Sequence, residues 1–333
     1  PSMACIDEIA EAFMPKPGVM YTAAVFNKRG FERADAYYPK INVRRRKFGS
    51  HIELSDTFAR RNYNRTQAEQ IAAVDTSVAD AKRAGSQTGS IALGNPFGCN
   101  FEGSYSLQQR MELLDLMMSK WQAAGIPVTK VSFLDAMGWN MPHTVSETIQ
   151  AIRDKYPEVK IFHMHLHNTR GTAIASCYEA LLLGATEFDT SLGGMGGCPY
   201  CGNGRAAGHV PTEDLVHLCH EMGIETGYNL DKVIAAAVVA EEVVGHPLWG
   251  HVSKAGPRPK VKNKLYDINA PVIETLEQAK HFKKGPEAYE GGIYPYQQPI
   301  TSPYRDRVDA GQPAYDSSSG DWPWKQDWFP AKD

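Results

Sequence analysis

Three observations predict an α/β fold built as a TIM-type (β/α)8 barrel. Strand-like apolar runs alternate six times with amphipathic helical stretches over short connections, the pattern of a parallel sheet with crossover helices. Polar or glycine residues stand where these strands end: Asn27, Asn95, Asp135, His167 and the loop after Ser191. A parallel barrel carries its chemistry on that rim. Third, 333 residues at 42% hydrophobic suffice for a core of barrel size.

Taken in order, residues 3–14 read as an amphipathic helix ended by Pro15-Lys16-Pro17-Gly18. Residues 19–26 read as a buried strand stopping at Asn27, and residues 30–38 as a short helix. The basic run Arg44-Arg45-Arg46-Lys47 reads first as a solvated face, with an anion contact as the minority reading. A strand over 48–54 precedes a helix over 66–84, and a third strand, 90–94, runs into Asn95-Pro96-Phe97-Gly98-Cys99. In the helix over 106–124, Leu107, Met111, Leu114, Met118 and Trp121 recur at helical spacing, a core stripe rather than a cofactor box. A strand over 129–134 ends at Asp135 and Gly138, and a helix over 145–156 leads to the histidine strand. Beyond it lie a helix over 171–183, a sixth strand over 186–191, a glycine-rich loop over 193–208, and helices over 212–222 and 230–244. Six units are two short of eight. Either the barrel is incomplete or two strands precede the first residue; the sequence opens on a helix with no strand before it, which favours the second expectation.

Lys160-Ile161-Phe162-His163-Met164-His165-Leu166-His167-Asn168-Thr169 is the most informative stretch. It alternates as a strand, with Phe162, Met164 and Leu166 on one face and the three histidines on the other. Three imidazoles in a dry place would leave several ring nitrogens without partners. Neutral imidazole is the commonest side-chain ligand for a divalent metal, and i, i+2 on a strand sets two at one height. His165 and His167 are therefore candidate metal ligands; a solvated edge strand is the competing reading.

The loop Ser191-Leu192-Gly193-Gly194-Met195-Gly196-Gly197-Cys198-Pro199-Tyr200-Cys201 carries enough glycine for a closing active-site loop. Cys198 beside a metal could serve as thiolate ligand, nucleophile or proton carrier. Cys198-x-x-Cys201 with His217, Cys219 and His220 loosely resembles a structural zinc knot. Against that, the last three fall inside a helical pattern without sharing a face, and the spacing matches no common zinc module. A redox pair at Cys198/Cys201 is disfavoured because the second cysteine does not open a helix.

Composition excludes some partners. A formal net charge of −3 gives no electrostatic reason to expect nucleic acid. No segment is long and apolar enough for a membrane span, and Pro1-Ser2-Met3-Ala4 lacks signal-peptide layout. Six cysteines without framework spacing suit a reducing compartment, so a cytoplasmic location is expected. The barrel domain is assigned to 1–253 and a proline- and aromatic-rich arm to 254–333. Ordering such an arm needs pockets for its aromatics, on the barrel or a neighbouring subunit, so a homo-oligomer is expected.

With these residues in hand, the chain resembles the hydroxymethylglutaryl-CoA lyase group of metal-dependent TIM-barrel lyases, relatives of the isopropylmalate and homocitrate synthases. The resemblance runs from residue 1 to about residue 235. It rests on His165-x-His167-Asn168-Thr169, on Gly193-Gly194-Met195-Gly196-Gly197-Cys198-Pro199-Tyr200, and on Pro211-Thr212-Glu213-Asp214-Leu215. It implies that His165 and His167 bind a divalent cation, magnesium or manganese first and zinc third, and that Cys198 is a mobile acid/base group. Three departures stand out: the family's first-strand Arg-Asp pair has no match, the family's ligand Asn appears as His209, and the arm extends past the usual end. His209 could still ligate and would make the site richer in nitrogen and softer.

The implied activity is cleavage of a carbon–carbon bond in a branched 3-hydroxyacyl-CoA, with CoA entering as part of the substrate. His165, or an aspartate on a missing strand, would take the hydroxyl proton, and Cys198 would protonate the departing enolate. Asn27 and Asn95 stand at the substrate rim, and Asp135 and Glu213 are expected to organise ligands from behind. Two alternatives remain: a Claisen-type synthase, suggested by Gly202-Asn203-Gly204-Arg205-Ala206-Ala207-Gly208-His209, and a catalytically degenerate structural or regulatory subunit.

Overall fold

The computed structural model describes residues 5–25, 28–43, 48–201 and 206–258. The basic run 44–47 and the arm from residue 259 onward lie outside the described residues. The chain order is α1 (Ile6–Ala12), α2 (Lys28–Asp35), β1 (Gly49–Glu53), α3 (Asp56–Tyr63), α4 (Gln67–Arg83), β2 (Gly89–Gly94), a two-strand hairpin β3 (Gly98–Cys99) and β4 (Gly103–Ser104), and α5 (Leu107–Ala123). It continues through β5 (Val128–Asp135), α6 (Pro142–Lys155), β6 (Ile161–Leu166), α7 (Ala173–Leu182), β7 (Glu187–Phe188), a 3-10 turn at Leu192–Gly194, α8 (Thr212–Glu221), α9 (Leu230–Val244) and α10 (Val252–Ala255).

The helices begin where local chemistry starts them. Thr66 with Glu69 and Ser106 with Gln109 form reciprocal caps at α4 and α5. The Ser55 side chain caps α3 and that of Asn229 caps α9, each satisfying backbone N–H groups that no helical turn can reach.

The main sheet has five strands in the order β1-β2-β5-β6-β7, every pair parallel. Each new strand adds beside the last, as in a singly wound barrel and unlike the reversing order of a doubly wound sheet. The chain thus has the TIM-barrel type of α/β fold. The expected count of six βα units is corrected to five among the described residues, because 19–25 forms no strand. Val19 and Met20 are exposed, and the run's carbonyl at Tyr21 accepts from Asn42 N at 2.8 Å instead of joining a ladder. A short apolar run does not by itself distinguish a strand from a segment packed on helices; here residues 21–25 line a cavity with α1 and α2.

Register separates core from chemistry. Ile91, Leu93, Val131, Phe133, Phe162, Met164 and Leu166 are at most 1% exposed and pack with α4–α7 side chains such as Val74, Leu114, Met118, Trp121 and Ile149. On the opposite face two rows cross the strands: His51, Ala92, Ser132 and His163, then Glu53, Gly94, Leu134 and His165. The second row lies nearer the strand C-terminal ends.

Candidate metal centre and active-site loop

β6 delivers the histidines as alternation requires. His163 and His165 are partly buried and His167, just past the strand, is 6% exposed. The segment after the glycine loop then returns along the strand end: Asn168 N donates to Gly208 O at 2.7 Å and Val210 N to Leu166 O at 3.1 Å. An antiparallel bridge between His167 and His209 results. It sets the His209 ring 4.2 Å from that of His165 and 4.7 Å from that of His167, centroid to centroid. One ligand atom from each of the three lies within 4.8 Å of the others.

The electrostatics match a cation site. Burial, reinforced by the neighbouring imidazoles, pushes His167 down to about 3. Burial with His165 pushes His209 down to about 4. Both rings are therefore neutral and carry a lone pair at physiological pH. His167 Nδ1 is buried with no hydrogen-bond partner, a costly arrangement that a bound cation would relieve. Behind the cluster, Asp189 Oδ2 lies 2.8 Å from His165 Nδ1 and its Oδ1 lies 3.0 Å from His163 Nε2. His163 Nδ1 in turn meets Ser132 Oγ at 3.0 Å. Burial raises the Asp189 carboxyl, but the hydrogen bonds from His163 and His165 outweigh it and hold the group well below the usual carboxylate range. An ionised Asp189 orients His165 so that Nε2 is free to face the cluster.

The other predicted residues are arranged around this corner. The Asp135 carboxylate, fully buried, accepts from Trp139 N at 3.0 Å, Asn140 N at 2.7 Å and Asn140 Nδ2 at 2.7 Å. Asn140 Nδ2 also reaches the His167 carbonyl at 2.9 Å. Asp135 thus braces the histidine backbone from behind. Asn95 is buried and donates from Nδ2 to Glu53 Oε2 at 3.0 Å. A side chain on Gly94 would overlap that Glu53 carboxylate, so glycine there admits a buried acid at the rim. Glu213 is buried and accepts from Gly193 N at 3.0 Å, tying α8 to the start of the loop. Asn27 lies outside the described residues.

Cys198 is 4% exposed and packs in a separate small cluster with Phe58, Cys99, Met137 and Cys201. The hydrogen bond from Cys201 outweighs burial and the Asp135 and Glu53 carboxylates, bringing its thiol down to about 7. That places it where a proton carrier is most useful. The zinc-knot residues do not assemble: Cys219 belongs to the main core, apart from Cys198 and Cys201, and His220 Nε2 pairs with Thr226 Oγ1 at 3.0 Å. Sequence reasoning missed Asp189, Glu53 and Asn140. The available signal was position, since Glu53 ends β1 and Asp189 follows β7.

Comparison with known proteins places the chain in a family. The HMGL-like family model matches residues 2–239. The chain is 34% identical to an (R)-citramalyl-CoA lyase of Chloroflexus aurantiacus, over 77% of this chain and 79% of the relative. It is 32% identical to a hydroxymethylglutaryl-CoA lyase of Bacillus subtilis, over 72% and 75%. The solved structure of a hydroxymethylglutaryl-CoA lyase from Acinetobacter baumannii, in complex with coenzyme A and 3-methylmalate, superposes with a TM-score of 0.62 at 26% identity, covering 78% of this chain and 80% of that one.

Proposed function

The chain belongs to the HMGL-like family and is a carbon–carbon lyase, and we propose that it cleaves a branched 3-hydroxyacyl-CoA at a metal held by His165, His167 and His209. The observation that carries this reading is the convergence of those three imidazoles at the ends of the barrel strands. When bound, the divalent cation supplies electrophilic polarisation of the substrate's hydroxyl and carbonyl oxygens. Three nitrogen donors suit a borderline ion such as zinc or cobalt better than the magnesium expected from resemblance alone.

The protein's own part is to hold and move protons. The tertiary hydroxyl gives its proton to a carboxylate base, a role we give to Glu53, which shares the rim row with His165; its oxygen becomes a carbonyl as the carbon–carbon bond breaks, and the bonding pair passes to the thioester as an enolate. Cys198 Sγ gives its proton to that enolate carbon. His165 was expected as both ligand and base; its bond to Asp189 leaves one free nitrogen, and we assign that nitrogen to the metal. Glycines at 193, 194, 196 and 197, all at positive φ, give the loop the turns through which Cys198 would approach the substrate.

The test is a thioester panel with the metal-loaded protein. Release of an acyl-CoA from (R)-citramalyl-CoA or hydroxymethylglutaryl-CoA is expected, and the faster of the two names the acyl group. Release of free CoA from acetyl-CoA plus a 2-oxo acid, with no cleavage of either thioester, would replace the lyase reading with a synthase.

A further inference from the structure

Cys201 hydrogen-bonds the Cys198 thiol, and although it opens no helix, the structure holds it in a turn beside Cys198. Cys201 N donates to Cys198 O at 3.0 Å, which closes a four-residue turn Cys198-Pro199-Tyr200-Cys201. Such a turn brings its end Cα atoms within about 7 Å, inside most of the span a disulfide bridges, about 4.4–6.8 Å. Both side chains are buried in the same small cluster, and both thiols are free. Cys201 Sγ is held by the Met137 carbonyl at 3.6 Å and by Asn100 Nδ2 at 3.6 Å. Asn100 Nδ2 also reaches the Tyr200 carbonyl at 2.9 Å, and the Tyr200 hydroxyl donates to Arg61 O at 3.1 Å. The turn is therefore pinned to the barrel top at both its backbone and its second sulfur.

We propose that Cys198 and Cys201 form a reversible disulfide that switches the active-site loop off under oxidation by a small hydroperoxide. Cys198 sulfur takes the terminal oxygen of the hydroperoxide, whose O–O bond breaks to leave a sulfenic acid and water or an alcohol. Cys201 sulfur then attacks that sulfur; the S–S bond forms, the S–O bond breaks, and hydroxide leaves with the Cys201 proton as water. Two electrons pass to the peroxide, and a thiol reductant returns them. The exposed, glycine-flanked positions 196 and 197 beside buried Cys198 offer the approach for so small an oxidant. The bridge protects Cys198 from irreversible sulfinic acid while it removes the proton donor from catalysis. Loss of turnover rests on the role proposed for Cys198; formation of the bridge does not.

The experiment treats the metal-loaded protein with hydrogen peroxide, alkylates it under denaturing conditions and maps the peptide carrying both cysteines. The expected result is a peptide about two mass units lighter and closed to alkylation, with turnover reduced at least about a hundredfold and restored by dithiothreitol. In Cys201→Ser, scored against that variant's own untreated turnover, peroxide inactivation persists after dithiothreitol because Cys198 passes to the sulfinic state. Alkylation of both residues after peroxide, or a bridge from Cys198 to Cys99, overturns the proposal. A bridge that leaves turnover intact upholds the pair and overturns the catalytic reading of Cys198.

Discussion

His165 and His167 stand on or next to a strand paired with neighbours on both sides, whereas Cys198 hangs from a loop with four positive-φ glycines and is seated among Phe58, Cys99, Met137 and Cys201. The histidine corner is built by backbone ladders and fixed by Asp189 and by Asn140 on its carbonyl. The cysteine corner is held by side-chain packing, one turn and a few side-chain hydrogen bonds and not by a backbone ladder, which suits the proton carrier proposed for it. On the proposed reading, metal binding and proton transfer are separately supported, so substitutions should separate them.

The sharpest separation is expected from Cys198→Ala. Metal content should match wild type while kcat falls roughly 10²–10⁴-fold; loss of metal on that substitution would merge the two corners. Next in size is Asp189→Asn, which removes the charge that orients His165. Competition titration with a chelating dye should show metal binding weakened about 10–100-fold, with the secondary structure seen by circular dichroism retained. Unaltered affinity would mean that β6 alone sets the ring.

The brace behind the histidines should show in stability against pH. Burial raises the Asp135 carboxyl from 3.8 to about 6, against the hydrogen bonds from Trp139 and Asn140 that lower it. The folded chain therefore binds the proton more tightly than the unfolded chain. This contribution is fully present below pH 3.8 and lost as pH rises through about 6. Its size is on the order of 2–3 kcal/mol. Denaturant melts across this window should show the loss in wild type and a flatter profile in Asp135→Asn. Equal slopes in the two would place the proton elsewhere.

Much of the histidine corner was legible in the sequence because a period of two is a property of the chain itself: His165 and His167 could be placed on one face before any contact was known. His209 was reached only through resemblance, since its approach depends on the hydrogen bonds from Asn168 N and Val210 N, which join segments some forty residues apart. Asp189 was invisible for the same reason. The sixth strand was read as 186–191, but the ladder proper covers Glu187–Phe188; Asp189 N still donates to Met164 O at 2.9 Å, which sets Asp189 beside β6, where its carboxylate meets His163 and His165. The run at 19–26 misled because hydrophobicity reports burial and not the partner. The helix α3 was passed over because its eight residues, Asp56–Tyr63, carry two arginines and two buried side chains, a weak apolar stripe.

Metal content tests the account most directly. Purified wild-type protein and His167→Ala would be dialysed against zinc and then buffer, and analysed by plasma emission alongside melting curves. The account predicts about one ion per wild-type chain and almost none in the variant, with the variant still folded. Equal metal in both, or none in either, would contradict the assignment of His165, His167 and His209 as the centre of the site.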